Sequence, residues 1–303
     1  MKTEVNYIER QDTPVHGVKA ILSDYLELTK PGLSLMSVVT ALFGYFATPG
    51  NHSLSVIIAI FIGTAFAAGG AAALNQWLER DEDARMDRTL DRPIPSGRIS
   101  PFAAGTFGVL LSFAGVGVLL ALAGFLPALV AAATIATYVA LYTPLKKVHW
   151  ISTYVGAIPG ALPPFIGATA LASSISLSGC MLFSVLAAWQ IPHFMAIAWL
   201  YKQDYIDGDF EMLSRYDESG KRVALHALIF AVVLTVICLV PYFMGRAHWG
   251  YALLSGLLGA WIIYGSIQFY RDPTDRKRVR RLFFSTLIFL PIYMVVFLVG
   301  VQG

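Results

Sequence analysis

Apolar residues gather in nine runs, at 31–47, 54–78, 102–124, 126–142, 151–171, 177–201, 223–244, 249–270 and 282–301, with polar or charged stretches between them. A helix needs about 20 apolar residues to cross the hydrocarbon of a bilayer, and each run meets or approaches that length. None alternates polar and apolar positions in segments of about ten, as the strands of a membrane barrel do. The pattern predicts an all-α, polytopic membrane protein. Its nine transmembrane helices form one domain over 31–303, preceded by a tail over 1–30. The second and sixth runs are long enough to tilt or to project beyond the lipid.

Charge placement agrees with that count. With the N-terminus inside, all 22 Lys and Arg residues except Arg246 fall on the inner side, and so do all 19 acidic residues. This is the positive-inside arrangement, and it puts the C-terminus outside. A composition of 56% hydrophobic and 14% charged residues excludes a soluble globule. The net charge of +3 follows the membrane surface and gives no reason to expect nucleic acid as a partner. The tail carries Glu4, Glu9, Asp12, Asp24 and Glu27 and lacks the apolar core of a signal peptide. A bacterial inner membrane is the simplest location. Cys180 and Cys238 stand alone in apolar runs and suggest no redox or metal chemistry.

The inner loops at 79–101, 146–150, 202–222 and 271–281 are charged, and three of them are long, whereas the outer loops are short. The inner side is therefore expected to be the working side. In the fifth run, Gly156, Pro159, Gly160, Pro163, Pro164 and Gly167 crowd together. Two readings stand: tight packing of a kinked helix, or a wall for a flat or long apolar ligand.

The chemistry concentrates at 75–97, NQWLERDEDARMDRTLDRPIPSG. Asn75, Glu79 and Asp83 are spaced i, i+4 and i+8, which lines them along one helical face at the mouth of the second span. Carboxylates are costly in apolar surroundings, roughly 2.5 to 3.5 kcal/mol each at mid-bilayer. Oxygen donors in a row suit Mg²⁺, which commonly shares its remaining positions with phosphate oxygens. Arg80, Arg85, Arg88 and Arg92 follow and can grip the same anion. A membrane enzyme acting on a Mg²⁺–diphosphate substrate is the reading these residues give. A second acidic patch opens with Asp204, read as a metal ligand, whereas Asp207, Asp209 and Glu211 read as a solvated loop. His193 lies eleven residues before Asp204 and, with Gln190, on the same face of a continuous helix, so it too reads as a ligand, of iron or another metal. A transporter is the contrasting class, but transporter sites sit near the midplane, not in a cluster at one face.

These residues resemble the intramembrane prenyltransferases of the UbiA type. The resemblance is carried by LTKPG at 28–32, by 75–97, by YTPLKK at 142–147, by GAIPGALPPFIG at 156–167 and by IPHFMAIAW at 191–199. The proline-rich fifth span and Pro192-His193-Phe194 point to the branch that farnesylates heme; a ring prenyltransferase acting on a quinone precursor is the alternative. The resemblance implies a nine-helix bundle around a cavity open to the inner face. Its substrates would be farnesyl diphosphate, held through Mg²⁺, and heme b, and its product, heme O, would pass toward a terminal oxidase by way of heme-handling partner proteins. Asn75, Glu79, Asp83 and Asp204 fall on the metal positions, Arg88, Arg92 and Lys146 on basic positions near the diphosphate, and His193 on the histidine of the heme branch. The chain departs from the pattern at Gln76, where many relatives carry Asp, and at Gly208, where ring-prenylating relatives carry a second Asp.

Overall fold

The computed structural model describes residues 17–301, and those residues are helical almost throughout. Residues 1–16 of the tail, with His16, lie outside them. Residues 18–28 form a helix, α1 (Val18–Leu28), docked on the bundle. Its Leu28 packs with Ala73, Ile94, Ile99 and Ala104, and Tyr25 meets Phe107 edge-on at 5.0 Å. Arg98 pairs with Asp24 and with Glu27, the latter at 2.9 Å, which fastens α1 to the loop after the second span.

The spans follow as α2 (Pro31–Phe46), α3 (Leu54–Leu78), the one-turn α4 (Arg80–Asp83), α5 (Pro101–Leu122) and α6 (Phe125–Ala136). A π-helical turn (Thr137–Tyr142) and α7 (Thr143–Leu145) continue α6. Then come α8 (Ser152–Ala161), α9 (Pro163–Ala172), α10 (Leu177–Leu200), α11 (Lys202–Asp207), a 3₁₀ turn (Leu213–Tyr216), α12 (Lys221–Phe243), α13 (Trp249–Arg271) and α14 (Arg276–Gly300). Among the described residues, eight helices are long and apolar enough to cross a membrane, counting α6–α7 and α8–α9 as one each. The first expected span, α2, is shorter at 16 residues.

Two apolar cores organise the bundle. One joins α2, α3, α5, α6 and α9 through Ala41, Tyr45, Ile60, Ala67, Leu119, Ala128 and Ile166. The other joins α8, α10, α12, α13 and α14 through residues such as Leu182, Met195, Ala227, Ile262 and Phe289. Side-chain burial reaches 56% of the apolar window of α3 and 61% of that of α10, against 28% for α5. Helices α3 and α10, with α8–α9 at 56%, are thus inner members, and α3 and α10 both end at the charged rim.

Small residues set the close approaches that hold such helices together where lipid offers no hydrophobic drive. A Cβ on Gly115 would strike the backbone of Ala67, which locks α5 to α3. A Cβ on Gly167 would collide with the carbonyl of Ala41, and one on Gly44 with that of Pro164, so α2 and α9 lie backbone against backbone. The fifth run is broken at Leu162, just before Pro163 and Pro164, as the loss of two N–H donors requires. Gly167 and Pro164 are accounted for by this packing, the first of the two readings, whereas Pro163 also lines an apolar slot between α2, α3, α6 and α9.

Candidate active site

The site starts from how the chain enters the membrane. Lys30 sits between α1 and α2 in the left-handed region, φ 46° and ψ 66°, directly before Pro31. A side chain other than glycine seldom adopts that conformation, and neighbours must hold it there. Gln76 Nε2 donates to Leu28 O at 3.0 Å, and Ser34 Oγ donates to Thr29 O at 2.6 Å, fixing the elbow from both sides. The result aims Lys30 Nζ at Asn75 Oδ1, 2.9 Å away. Gln76, the departure from the pattern, serves the elbow; its Oε1 is buried without a partner.

Helix α3 ends at Leu78, and Glu79 caps it with φ −102° and ψ 11° before α4 carries Asp83. The expected stripe survives this break. Asn75, Glu79 and Asp83 are all buried, at 1%, 3% and 0% exposure. Each meets a different partner. Asn75 Nδ2 donates to Thr143 Oγ1 at 3.1 Å, Glu79 pairs with Lys146, and Asp83 Oδ2 lies 2.6 Å from Arg92 Nη1. The opposite wall is made by the π turn. It presents Thr143, whose hydroxyl donates to Tyr138 O at 2.8 Å, and just beyond it Lys146, over the rings of Tyr142 and Phe210 at 5.1 and 4.7 Å. Inserted π turns are frequent at functional sites.

Three cations, Lys146 buried and Lys30 and Arg92 half-buried, therefore surround two buried carboxylates, Glu79 and Asp83. The balance is electropositive. Burial and then Arg92 press the Lys30 ammonium down to about 7, only partly opposed by Glu79 and Asp83. Burial pushes the Asp83 carboxyl up even against the pull of Arg92. Lys146 runs the other way: burial lowers it, but Glu79 beside it, together with Tyr138 and Tyr205, raises it more. A cavity of about 320 Å³ opens beside two members of this group, Lys30 and Arg92, and is also lined by Glu27, Gly32, Leu33 and Gln76. Deeper in the span lies a narrow apolar slot of about 30 Å³ between α2, α3, α6 and α9, walled by Ala67, Ala68, Ala71, Ala131 and Ile166.

The remaining candidates divide. Arg88 turns to Asp204, Nε to Oδ2 3.9 Å, and stacks over Tyr201 and Tyr205 at 5.0 and 5.4 Å. It joins the two acidic motifs, but Asp204 itself does not reach the first one. Arg80 and Arg85 turn away: Arg80 donates to Trp77 O at 3.0 Å and Arg85 to Asp81 O at 3.2 Å. Asp207 accepts from Gln203, Asp209 pairs with Arg215 at 3.0 Å, and Glu211 bonds Tyr216, the behaviour of a solvated loop. At Gly208 a Cβ would lie 2.9 Å from Met86 Sδ, so Met86 fills the space a second-motif carboxylate would need. No three His, Cys, Asp or Glu side chains among the described residues form a ready cation cage. The acidic groups of the first motif are held by basic partners instead.

His193 and Asp204 stand on separate helices, α10 and α11. Helix α10 stops at Leu200 with Tyr201 in a non-helical conformation, so the eleven-residue phase count is interrupted. Gln190 faces α8, donating to Ala157 O at 3.1 Å, whereas His193 faces α14. Its ring lies between Trp189 and Phe283, each 5.1 Å away and nearly parallel, at 17° and 24°.

Residues 37–288 match the UbiA prenyltransferase family, and the chain belongs to that family. The protoheme IX farnesyltransferase of Opitutus terrae is 44% identical over 282 residues, covering 93% of this chain and 95% of that protein. That of Solibacter usitatus is 38% identical, covering 89% and 96%. The mitochondrial protoheme IX farnesyltransferase of Arabidopsis thaliana is 39% identical over 89% of this chain and 63% of its own length. Among solved structures, a digeranylgeranylglyceryl phosphate synthase superposes with a TM-score of 0.76 at 17% identity, covering 92% and 98%. A UbiA homologue from Archaeoglobus fulgidus, bound to GPP and Mg²⁺, superposes with a TM-score of 0.62 at 14% identity, covering 90% and 99%. At such identities the likeness is one of fold.

Proposed function

We infer that this chain transfers the farnesyl group of farnesyl diphosphate to a vinyl group of heme b, with addition of water, to give heme O and diphosphate. The names and coverage of the curated relatives support this assignment. The observation that carries the chemistry is the grouping of Lys30, Arg92 and Lys146 around the buried Asn75, Glu79 and Asp83. Three cations against two carboxylates leave a positive balance that a diphosphate answers.

The donor set also fits Mg²⁺. Asn75, Glu79 and Asp83 offer only hard oxygen atoms, and Asp83 Oδ1 is buried with no hydrogen-bond partner. Bound there, Mg²⁺ supplies positive charge to the oxygens of the departing diphosphate. Lys30 and Arg92 then exchange their carboxamide and carboxylate partners for phosphate oxygens, and Lys146 remains over Phe210 to take the far side. Once this exchange has been made on substrate binding, the cations stabilise charge as it develops without further reorganisation. The alanine-walled slot begins one turn deeper than Asn75 and receives the isoprenoid chain as α2 and α3 part. Around the allylic carbon the helix walls keep out bulk water. Asp204 and Arg88 close the rim from the second motif. His193, on the other inner helix, approaches the heme iron.

In the cell the chain is assigned to the bacterial inner membrane, with the N-terminus and the charged rim toward the cytoplasm and the C-terminus outside. The deciding experiment is the mass of heme extracted from membranes that express this chain, given farnesyl diphosphate and heme b. A hydroxyethylfarnesyl product is expected; unchanged heme b beside a prenylated aromatic ring would overturn the assignment.

A further inference from the structure

His193 is held by more than its stack. Its Nδ1 lies 2.8 Å from the hydroxyl of Thr286 on α14. That hydroxyl has a single hydrogen, and it is committed elsewhere: Thr286 Oγ1 lies 2.6 Å from Phe283 O, a carbonyl that can only accept. The proton in the contact with the imidazole must therefore sit on Nδ1. Thr286 is fixed in turn, because Trp189 Nε1 donates to its backbone carbonyl at 2.7 Å. Trp189 thus stacks on the imidazole and also clamps the residue that bonds it. Phe283 covers the other ring face and accepts the threonine proton.

We propose that Thr286 is a positioning residue for the acceptor heme, holding His193 in the Nδ1–H tautomer so that the Nε2 lone pair is presented to the iron. This rests on the reading of His193 as the residue that approaches heme. Among the described residues Nδ1 is the only ring nitrogen of His193 with a hydrogen bond, so Nε2 is the atom left for a ligand. The same division of labour is general for iron and zinc histidines: one nitrogen ligates, and the other donates to an oxygen that sets the tautomer and raises the basicity of the ligand. The carboxylate or carbonyl usual in that role is replaced here by a threonine hydroxyl whose own proton is tied down. No sequence spacing announces it, since Thr286 is 93 residues from His193.

The test uses full-length protein in lipid nanodiscs, titrated with heme b, for wild type, Thr286→Val, Thr286→Ser and His193→Ala. Ferrous heme is read by the iron–histidine stretch in resonance Raman, and affinity by the Soret change. Thr286→Val keeps the shape but cannot accept from Nδ1. The expected result is a lower stretching frequency and an affinity weaker by about 10- to 100-fold, the usual effect of removing such a partner. Thr286→Ser should restore both. If Thr286→Val does not accumulate in membranes, Trp189→Phe, which frees the Thr286 carbonyl, is expected to lower the same frequency. An unchanged frequency and affinity in the variant read would overturn the inference. The His193→Ala arm separates the two ways of failing. Loss of the iron–histidine band there, with Thr286→Val unchanged, removes only the role of Thr286. A wild-type band in His193→Ala removes the heme-ligand reading and the inference with it.

Discussion

Arg92 Nη1 stands 2.6 Å from Asp83 Oδ2 in an ion pair whose acidic member is fully buried, and the second carboxylate oxygen, Oδ1, is left without a partner. A buried pair that satisfies only half of its carboxylate costs desolvation without full return. The arrangement is reasonable if Arg92 serves as a stand-in, neutralising Asp83 until a cation and an anion arrive together. Replacing Asp83 by Asn keeps the shape and removes the charge. Turnover at saturating farnesyl diphosphate should fall on the order of 10²- to 10³-fold, as when one fixed electrostatic group is lost from a site. Heme O formation within about tenfold of wild type, at equal protein in the membrane, would count against a metal at Asp83.

Lys30 makes a different prediction, about binding. Its ammonium reaches Asn75 from a strained elbow and lines the cavity at the rim. A hydrogen bond to a charged group is worth about 1.5–3 kcal/mol, so Lys30→Met should raise the KM for farnesyl diphosphate on the order of 10- to 100-fold. The KM for heme b should stay where it was. Equal change in both constants would show that the elbow, and not the ammonium, is what the site needs.

Metal removal offers a third check. Chelation with EDTA should stop product formation, and Mg²⁺ should restore it. Ca²⁺ should restore it poorly, because it prefers six to eight oxygen ligands at longer range than two or three side chains and a diphosphate offer. Full turnover in chelator would leave the charge balance to Lys30, Arg92 and Lys146 alone.

The packing of α2 on α9 can be tested apart from catalysis. Gly167→Ala drives a methyl group into the Ala41 carbonyl, and overpacking of this sort costs roughly 1–3 kcal/mol. A lower unfolding temperature in detergent is expected. Gly117→Ala, where a Cβ meets nothing within 4 Å, should show no loss. Matching melting curves for the two variants would mean that α2 and α9 separate freely.

Much of this was legible in the sequence, and the parts that were not have physical reasons. The spans are written in composition because lipid cannot hydrogen-bond a backbone, so only long apolar helices serve. The grouping of Asn75, Glu79 and Asp83 follows from spacing, and it survives the break at Glu79, since all three stay buried around Lys30. Lys30 was present in the LTKPG motif, yet its role was hidden. The residue it touches is 45 positions away, and a left-handed lysine before proline leaves no periodic trace. The reading of His193 and Asp204 on one continuous helix failed at Tyr201, where α10 ends and α11 begins with no proline or glycine to announce the break. Trp189, Phe283 and Thr286 looked like ordinary span residues, since a hydrogen bond between two helices has no period along either.

The π turn at 137–142 has a consequence for how this wall is specified. Such a turn accommodates one more residue than an α turn closed by the same kind of bond, and each residue advances a helix by about 100°. What aims Thr143 at Asn75 and Lys146 at Glu79 is therefore a count of residues as much as their identity. A scan that exchanges one amino acid for another never alters that count. The angular setting of this side of the chamber would emerge only from variants that lengthen or shorten the chain.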